Sequence, residues 1–270
     1  MATKKQRVRV PTMEQSEKYN PEIFDEDACW DEDLSPHEVR RLETIVNAVP
    51  NGVRSIIDVG CGDGKLTVML RAAGYEVMAV DQSATALKRV PEPKRCISGD
   101  TLPFEDKCFD LAVCSEVLEH LPEPLLSNVV AELQRVSKQA IIVTVPYNED
   151  LAYFKVTCAD CGHRFNPYGH LHAFTEADLK ALLPLPTNVT LIDKPQMYYH
   201  PGLKHLVFGL LKRSVYVPHC VCPSCKSRDF SHLKTDYIRK CIGGLNHLIT
   251  RGKTRPGGWL MATYSKIDTQ

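Results

Sequence analysis

Two short cysteine motifs carry the sharpest chemical signal in the sequence. Cys158 and Cys161 are separated by two residues, and Cys222 and Cys225 repeat that spacing further along the chain. Structural zinc takes four tetrahedral ligands, and a two-residue spacer brings two thiolates within reach of one ion. Gly162, directly after the first pair, suits the turn that follows. The pattern predicts a zinc site formed by these four cysteines.

Other assignments of the cysteines stay open at this level. The chain has 11 cysteines, and their odd number, without a secretory signal, favours metal over disulfides. Cys220 forms a C-x-C with Cys222 and competes with it as a ligand. Three histidines could replace a cysteine: His163, His170 and His172. A redox C-x-x-C or free thiols are the less favoured alternatives.

A glycine-rich segment indicates a loop that approaches a nucleotide-type ligand. Residues 58–64 read Asp-Val-Gly-Cys-Gly-Asp-Gly, between a strand-like run and a helical one. Glycines let the backbone turn sharply with no side chain in the way. The dinucleotide fingerprint requires a glycine at position 65, which is lysine here, so the spacing is G-x-G-x-G.

Two acidic residues end the strands that follow this loop. Asp81 lies 21 residues after Gly60, where a carboxylate can accept hydrogen bonds from both hydroxyls of a ribose. Asp100 ends the next strand, where it can accept from an adenine amino group. The two carboxylates are therefore candidates for holding a nucleoside.

The elements that position these residues alternate between strands and helices. Ser35-Pro36 with Glu38 is a capping pattern that begins a helix. The strands are expected at 55–59, 75–81, 96–98, 110–114, 140–145, 188–192 and 259–264, and further helices at 65–73, at 122–136 and after Thr175. Apolar strands alternating with helices predict an α/β fold with a doubly wound parallel sheet.

In these motifs the sequence resembles the class I S-adenosylmethionine-dependent methyltransferases, in the group similar to the ubiquinone-biosynthesis methyltransferases. The segments that carry the resemblance are DVGCGDG at 58–64, VD at 80–81, GD at 99–100, FDLAVCSEVLEHL at 109–121, IIVTVPYNE at 141–149 and the terminal WLMATYSK. The resemblance implies S-adenosylmethionine as cofactor and a Rossmann-like sheet of seven strands, the last antiparallel. The stretch around Cys158 is similar to a zinc insertion of some bacterial members.

The resemblance also assigns cofactor contacts by position. The glycines would face the methionine and ribose, the strand-end acids the ribose and adenine, and the residues after the fourth strand the sulfonium. The predicted cofactor-binding residues are Asp58, Gly60, Gly62, Asp81, Gln82, Asp100, Thr101, Cys114 and Ser115. Of these, Asp58 is expected to be structural or to act through water.

Two residues are candidates for the chemistry. A sulfonium methyl is already activated, so a base is needed only for a hydroxyl or protonated amine acceptor. Glu116, Glu119 and His120 would share one face of a helical turn, and His120 is the candidate base because it titrates near neutrality. Local packing is an equal alternative for His120. Tyr147, after the fifth strand, could hydrogen-bond the acceptor.

The cysteine pairs divide the chain into alternating core and cap segments. We expect an N-terminal arm at 1–34, the cofactor-binding core at 35–150, a first zinc-cap part at 151–173, core again at 174–194, a second cap part at 195–257, and the final strand and tail at 258–270. The arm carries Tyr19, Phe24 and Trp30 and is expected to fold over another part. Both cap parts leave the carboxyl edge of the sheet, so the cap should lie above the cofactor and form the acceptor pocket.

Charge is unevenly distributed although the formal net charge is zero. Residues 1–200 hold 21 basic and 30 acidic side chains, and 201–270 hold 12 and 3. This predicts two faces that dock on each other, or an anionic partner. An apolar and basic stripe from Leu203 to Arg213 predicts a lid or core-packing helix or, less favoured, contact with a membrane surface.

These features predict a cytoplasmic methyltransferase that acts at oxygen on a small-molecule or glycan-type acceptor. An anionic acceptor is compatible with the basic residues. No run is long enough for a membrane span, and a nucleic-acid partner is less favoured because no RNA-binding motif is present. The alternatives are methylation of RNA or protein, and a non-enzymatic zinc adaptor on an inactive methyltransferase fold.

Overall fold

The computed structural model describes residues 19–31, 33–151, 155–185, 187–210, 217, 219–233 and 237–266. Its strands are β1 Ser55–Val59, β2 Glu76–Asp81, β3 Lys94–Cys96, β4 Phe109–Ser115, β5 Ser137–Pro146, β6 Val156–Thr157, β7 Arg164–Phe165, β8 Thr187–Asp193, β9 Gln196–Met197, β10 Thr254–Arg255 and β11 Gly258–Ser265. Its α-helices are α1 Pro36–Asn47, α2 Lys65–Ala72, α3 Ala84–Leu87, α4 Glu123–Val136, α5 Glu176–Leu182, α6 Pro201–Lys204 and α7 Tyr237–Thr250.

Seven strands form one sheet in the order β3-β2-β1-β4-β5-β11-β8. The five strands from β1 to β5 pair in parallel, and β11 runs antiparallel to both of its neighbours. The central strands are apolar because both faces of the sheet are covered, and β1 is buried from Ile56 to Val59. The predicted doubly wound α/β sheet with an antiparallel last strand is confirmed.

Helices pack on both faces of the sheet. Leu42 of α1 and Leu70 of α2 belong to the core on one face, and Leu126 of α4 and Leu179 of α5 belong to the core on the other. The predicted cap of α1 is present, since the side chain of its N-cap residue accepts from the backbone three residues on and the reciprocal bond also forms. The two layers of helices fix the sheet and leave its carboxyl edge open.

The structure departs from the sequence predictions in the short elements. β3 spans 94–96 rather than 96–98, because its pairing with β2 begins at Lys94 opposite Ala79. The second cap part contains the 14-residue helix α7, which was not predicted. In the predicted stripe, α6 is followed by a π-helical turn over 205–210.

Some predictions fall on residues that the structure does not describe. These are the arm before residue 19, the end of the stripe at 211–213 and the tail from residue 267. Within the described ranges, no helix combines the length and the apolar character needed to cross a membrane.

Candidate functional site

A cavity opens at the carboxyl ends of β1, β2 and β4. It holds about 700 Å³ of empty volume, its open mouth included. Gly60 follows β1, Asp81 ends β2 and Gln82 follows it, and Glu116 follows β4. All four line the cavity. Parallel strands end at one edge of a sheet, so residues distant in sequence converge there.

The glycine loop brings bare backbone to this cavity. Gly60 and Gly62 have φ angles of 74° and 55°, which glycine adopts more readily than other residues. A Cβ on Gly60 would lie 2.4 Å from the nearest methyl carbon of Val117, and one on Gly62 would lie 2.6 Å from the ring of Trp30. Neither position therefore leaves room for a side chain.

Asp81 is the carboxylate in the cavity wall, and it is 9% exposed. One oxygen accepts from the backbone N–H of Gly62 and the other from that of Ser83, each over 2.8 Å. Burial raises the pKa of Asp81, and these hydrogen bonds oppose that shift. Each carboxylate oxygen has a second lone pair, so the group can also accept from hydroxyls inside the cavity.

Three further residues of the predicted set follow β2 and β3. Gln82 lines the cavity, and its side-chain amide donates to the hydroxyl of Tyr19 over 3.2 Å. Asp100 is half-buried and Thr101 is exposed. These two directly follow the lining residue Gly99 and are not themselves among the described residues that line the cavity.

The remaining predicted residues belong to the strands beneath the loops. Cys114 is fully buried in the core, and burial raises the pKa of its thiol. Ser115 shares a hydrogen bond of 2.8 Å with the hydroxyl of Thr144. Asp58 accepts from the hydroxyl of Thr67 over 2.6 Å, and burial raises the pKa of Asp58 to about 6. None of the three lines the cavity.

The described part of the N-terminal arm, residues 19–31, covers the cavity from outside the sheet. Its contribution to the lining is aromatic: Tyr19, Phe24 and Trp30. The hydroxyl of Ser83 donates to the carbonyl of Phe24 over 2.8 Å, and Arg89 pairs with two arm aspartates at 3.0 and 2.6 Å. Aromatic residues in a polar segment indicated that the arm packs on another part of the chain. No sequence pattern identified the glycine loop as that part.

The two cysteine pairs meet in a compact unit, which we call the cysteine cap. The sulfurs of Cys158 and Cys225 are 3.6 Å apart and those of Cys161 and Cys222 are 3.7 Å apart, and all four lie within 4.8 Å of one another. Sulfurs bound tetrahedrally at about 2.3 Å from one zinc ion are about 3.8 Å apart, whereas a disulfide requires about 2.05 Å. The four sulfurs can therefore hold one metal ion.

Cys220 stands apart from this group. It is 2% exposed, packs in the small apolar core of the cap, and its pKa is raised to about 12 by burial. Its sulfur is not one of the four that lie within 4.8 Å of one another. The geometry thus favours the Cys222–Cys225 pair over an arrangement with Cys220.

The cysteine cap is joined to the arm. The side-chain amide of Asn20, which is 5% exposed, donates to the carbonyl of Val221 over 2.9 Å. Lys226 pairs with Glu22 at 2.7 Å, and a second arm–cap ion pair joins Arg228 to an arm glutamate. Part of the basic charge after residue 200 therefore docks on the acidic arm.

The comparisons with known proteins agree with this arrangement. Residues 57–143 match a family described as a methyltransferase domain. The ubiquinone biosynthesis O-methyltransferase of Ralstonia nicotianae is 33% identical over 101 residues, which are 33% of this chain and 42% of that protein. The ubiquinone biosynthesis O-methyltransferase of Hahella chejuensis is 25% identical over 204 residues, covering 69% of this chain and 85% of that protein. The match places a methyltransferase domain at residues 57–143, in agreement with the resemblance of the sequence motifs.

The chain resembles a solved structure in fold. A crystal structure of a SAM-dependent methyltransferase from Archaeoglobus fulgidus matches with a TM-score of 0.51 and 17% identity, covering 86% of this chain and 95% of that one. The chain spans less than half the length of the first curated relatives, 42%, 48% and 47%. The family match ends at residue 143, before the first cysteine of the cap.

Of the two predicted catalytic residues, the structure brings only His120 to the cavity. Its ring lies 4.9 Å from that of Phe24 and 4.7 Å from that of His170, both edge-on. Burial and the neighbouring His170 lower the pKa of His120 well below its ordinary value, so the imidazole is neutral. Tyr147 packs half-buried against the core and is not among the lining residues.

Glu116 is a cavity residue that the predicted site did not include. Its φ of 58° is unusual for a residue with a side chain, and its carboxylate accepts from the hydroxyl of Thr144 over 3.1 Å. Residues 118–120 form a 3-10 turn rather than an α-helical one. The expected helical face is therefore replaced by a turn that directs Glu116 and His120 to the cavity.

Proposed function

We propose that this methyltransferase binds S-adenosylmethionine in the cavity and transfers its methyl group to an oxygen of a small-molecule or glycan-type acceptor. The observation that carries the proposal is the convergence of bare backbone at Gly60 and the buried carboxylate of Asp81 on one cavity wall. When bound, S-adenosylmethionine supplies a methyl group on a positively charged sulfur, which makes that methyl electrophilic.

The residues of the cavity fit this cofactor. Asp81 keeps lone pairs for the two hydroxyls of a ribose. A second carboxylate, Glu116, lines the same cavity and pairs with Arg41 at 3.6 Å. Phe24 and Trp30 offer aromatic surface to a flat base or to a cationic group. Acidic, aromatic and bare-backbone surfaces together suit an adenosyl sulfonium better than an anionic nucleotide.

The other predicted cofactor residues support the site from its margins. Gln82 would add a polar contact beside Asp81, and Asp100 with Thr101 would meet the adenine end next to Gly99. Four more act through the protein in this proposal. Gly62 leaves room for the indole of Trp30. The strand ends would be held in place by Asp58, Cys114 and Ser115.

The acceptor atom is proposed to be oxygen. A neutral His120 at the cavity can take part in removing a hydroxyl proton, whereas an imidazolium could not accept it. Tyr147 remains a predicted acceptor contact. Because it does not line the cavity, its side chain would have to move to reach the acceptor. The curated relatives are O-methyltransferases by name, which supports the same atom.

A small acceptor is favoured over RNA or protein by the position of the basic residues. Lys226 and Arg228 pair with acidic residues of the arm, so part of the charge that could bind a polyanion is already engaged. An anionic small acceptor stays within the proposal.

We also propose that the cysteine cap binds Zn²⁺ through Cys158, Cys161, Cys222 and Cys225. The ion would bind structurally, since four thiolates leave no open coordination position. Through Asn20 and Val221 the ion would hold the arm over the cavity. The zinc would thus support cofactor binding without touching the cofactor.

Isothermal titration of the full chain with S-adenosylmethionine tests the cofactor site. Asp81→Ala removes the acceptor of two backbone hydrogen bonds and the proposed ribose contact, so we expect affinity to fall at least about tenfold. Glu105→Ala, an exposed carboxylate away from the cavity, is the matched control and should bind normally. Unchanged affinity in Asp81→Ala would contradict the site assignment.

The same titration separates the enzyme from a zinc adaptor. An adaptor on an inactive fold would show no binding even at millimolar cofactor. Transfer of a labelled methyl group to a panel of small hydroxyl compounds, compared with RNA, then tests the acceptor class. Salt-sensitive binding and labelling of RNA would favour a macromolecular substrate instead.

A further inference from the structure

Helix α7 presents an apolar face to solvent. The described residues expose eight large apolar side chains, and four of them lie on this one helix: Tyr237, Leu245, Leu248 and Ile249. Tyr237 is 71% exposed and Leu248 is 74% exposed. Single exposed apolar residues are ordinary on a protein surface, whereas a contiguous group of them marks an interaction site.

The four side chains share one side of the helix. At 3.6 residues per turn, their positions fall within about a third of the helix circumference, and the exposed Cys241 falls among them. We call these five residues the α7 stripe. Tyr237 and Leu248 are about three turns apart, so the stripe runs along most of the helix.

The other side of α7 attaches the helix to the rest of the chain. Asn246 is fully buried there, where its side-chain carbonyl accepts from the N–H of His200 over 2.8 Å and its amide donates to the carbonyl of Tyr198 over 2.9 Å. After the helix, β10 pairs with β9. These contacts hold the α7 stripe outward.

Positive charge accompanies the α7 stripe. From residue 237 to residue 255 the chain carries five basic side chains and no acidic one. Lys240, Arg251 and Lys253 are exposed. The Nζ of Lys240 lies 5.8 Å from the ring centroid of Tyr237, so a cation borders the apolar surface directly. The face is therefore complementary to a surface that is apolar in its interior and anionic at its boundary.

We propose that the α7 stripe docks on the surface of an anionic lipid bilayer, with the helix lying in the plane of the interface. Amphipathic helices with leucine or aromatic residues on one face and lysine or arginine beside them bury the apolar face at the headgroup boundary. The basic side chains then lie among the anionic headgroups. This inference goes beyond the proposed methyl transfer and does not depend on it.

A lipid surface matches the stripe better than another macromolecule does. A nucleic acid would engage the basic residues but would leave Leu245 and Leu248 in water. A second copy of this chain, paired through the same face, would bring like charges together, and the helix and its flank hold no acidic residue to offset them. A bilayer with anionic headgroups accommodates both the apolar and the basic residues.

Co-sedimentation of the full chain with lipid vesicles tests the proposal. We expect binding to vesicles of phosphatidylcholine mixed with phosphatidylglycerol, weakened by added salt, and no binding to phosphatidylcholine alone. Leu245→Gln/Leu248→Gln changes no charge and should lower the affinity at least tenfold, because less apolar surface leaves water. Val68→Gln/Leu191→Gln replaces two exposed apolar residues of α2 and β8 and should bind normally.

A second pair of variants tests the contribution of charge. Lys240→Gln/Arg251→Gln should lower the affinity about tenfold or more, since each basic residue near an anionic membrane surface contributes to binding. Lys88→Gln/Arg95→Gln removes the same charge from two exposed residues outside α7 and should bind nearly as the unmodified chain does. An equal loss in both pairs would show attraction by net charge alone and would contradict docking through α7.

The stripe variant also controls for the fold and for the cofactor site. Both leucines are exposed, so thermal unfolding and affinity for S-adenosylmethionine should match those of the unmodified chain. Absence of binding to the anionic vesicles would overturn the proposal, as would equal affinity in the folded Leu245→Gln/Leu248→Gln variant. A dimer in sedimentation velocity that this variant abolishes would assign the stripe to a second copy and would also overturn it.

Discussion

The cavity wall and the cover above it are built in different ways. In the wall, the polar groups are satisfied by the chain: both oxygens of Asp81 accept backbone hydrogen bonds, and Gly60 rests on β2 through a hydrogen bond of 2.8 Å to Val80. The cover consists of the arm and the cysteine cap. There, four sulfurs face one another without a bond between them.

With zinc bound as proposed, this difference separates a region that is stable by itself from one that depends on a ligand. The geometry of the wall is fixed by parallel strands whose side chains are buried on both faces of the sheet. Around the four cysteines, the described residues form the two-residue strands β6 and β7 and a small apolar core around Phe165 and Phe230. A core of that size stabilises little by itself, which is why small units commonly depend on metal.

The largest expected effect comes from removing one cysteine ligand. Cys222→Ser should abolish the bound zinc, since structural zinc contributes about 10 kcal/mol or more to folding of its unit. Hydrogen exchange should then rise across 156–165 and 219–230 but not in β1 or β4. Affinity for S-adenosylmethionine should fall about tenfold, because the arm loses its attachment at Val221.

Cys220→Ser is the matched control for this variant. Both cysteines are buried, two residues apart, but only Cys222 belongs to the cluster of four sulfurs. Cys220→Ser should retain the zinc and the protected cap. Equal zinc content in the two variants would contradict the assignment of Cys222 as a ligand. A rise in hydrogen exchange in β1 as large as that in the cap of Cys222→Ser would show that the wall also depends on the zinc.

The sequence predicted the wall well for a physical reason. Buried parallel strands are continuous apolar runs, and the residues that matter follow each run directly, as Gly60 and Asp81 do. β3 was misplaced by two residues because Lys94, Arg95 and Cys96 carry no apolar run. Helix α7 was missed within the long interval that was interpreted only through its cysteines.

The cover was less predictable because its contacts are made between distant segments. The cysteine spacing predicted four ligands, and the structure brings those four sulfurs together. No local pattern places Trp30 on Gly62, or His170 beside Glu119. Those contacts depend on the paths of loops, which the sequence specifies only through the whole fold.

An intermediate effect is expected where the two regions touch, at Gly62 and Trp30. Gly62→Ala should lower the free energy of unfolding by about 2–4 kcal/mol, from backbone strain and from the clash with the indole. In a Trp30→Ala background the clash is gone, so about 1 kcal/mol or more of that loss should disappear. Denaturant unfolding of the four chains measures the coupling.

Gly74→Ala is the control for backbone strain alone. Gly74 also has a positive φ, 97°, but a Cβ there would meet nothing within 4 Å. Its cost should be the same with and without Trp30. If Gly62→Ala behaves in the same way as Gly74→Ala, the arm does not rest on the glycine loop.

The smallest effect concerns Asp58 beneath the wall. Burial raises its pKa in the folded state to about 6, above its unfolded value of about 3.9. The folded state therefore binds a proton more tightly, and Asp58 contributes stability at low pH that is lost as pH rises through 6. Between pH 7 and pH 5, the unmodified chain should gain about 1 kcal/mol relative to Asp58→Asn.

Denaturant unfolding of both chains across this pH range checks the prediction. Only the difference between them is informative, because other groups, including the cysteines, titrate equally in both. Parallel stability curves would show that Asp58 is not buried in the way described.

The most direct test of the wall and its cover together is a crystal structure with S-adenosylhomocysteine, the demethylated form of the cofactor. We expect the ribose hydroxyls of the ligand to bond to the Asp81 carboxylate and the methionine portion to lie against the backbone of Gly60. The aromatic side chains of the arm should close over the ligand. A ligand bound elsewhere would contradict the assignment of the cavity as the cofactor site. In that case Asp81 would bond only to the chain, and Trp30 would stay in place over an empty cavity.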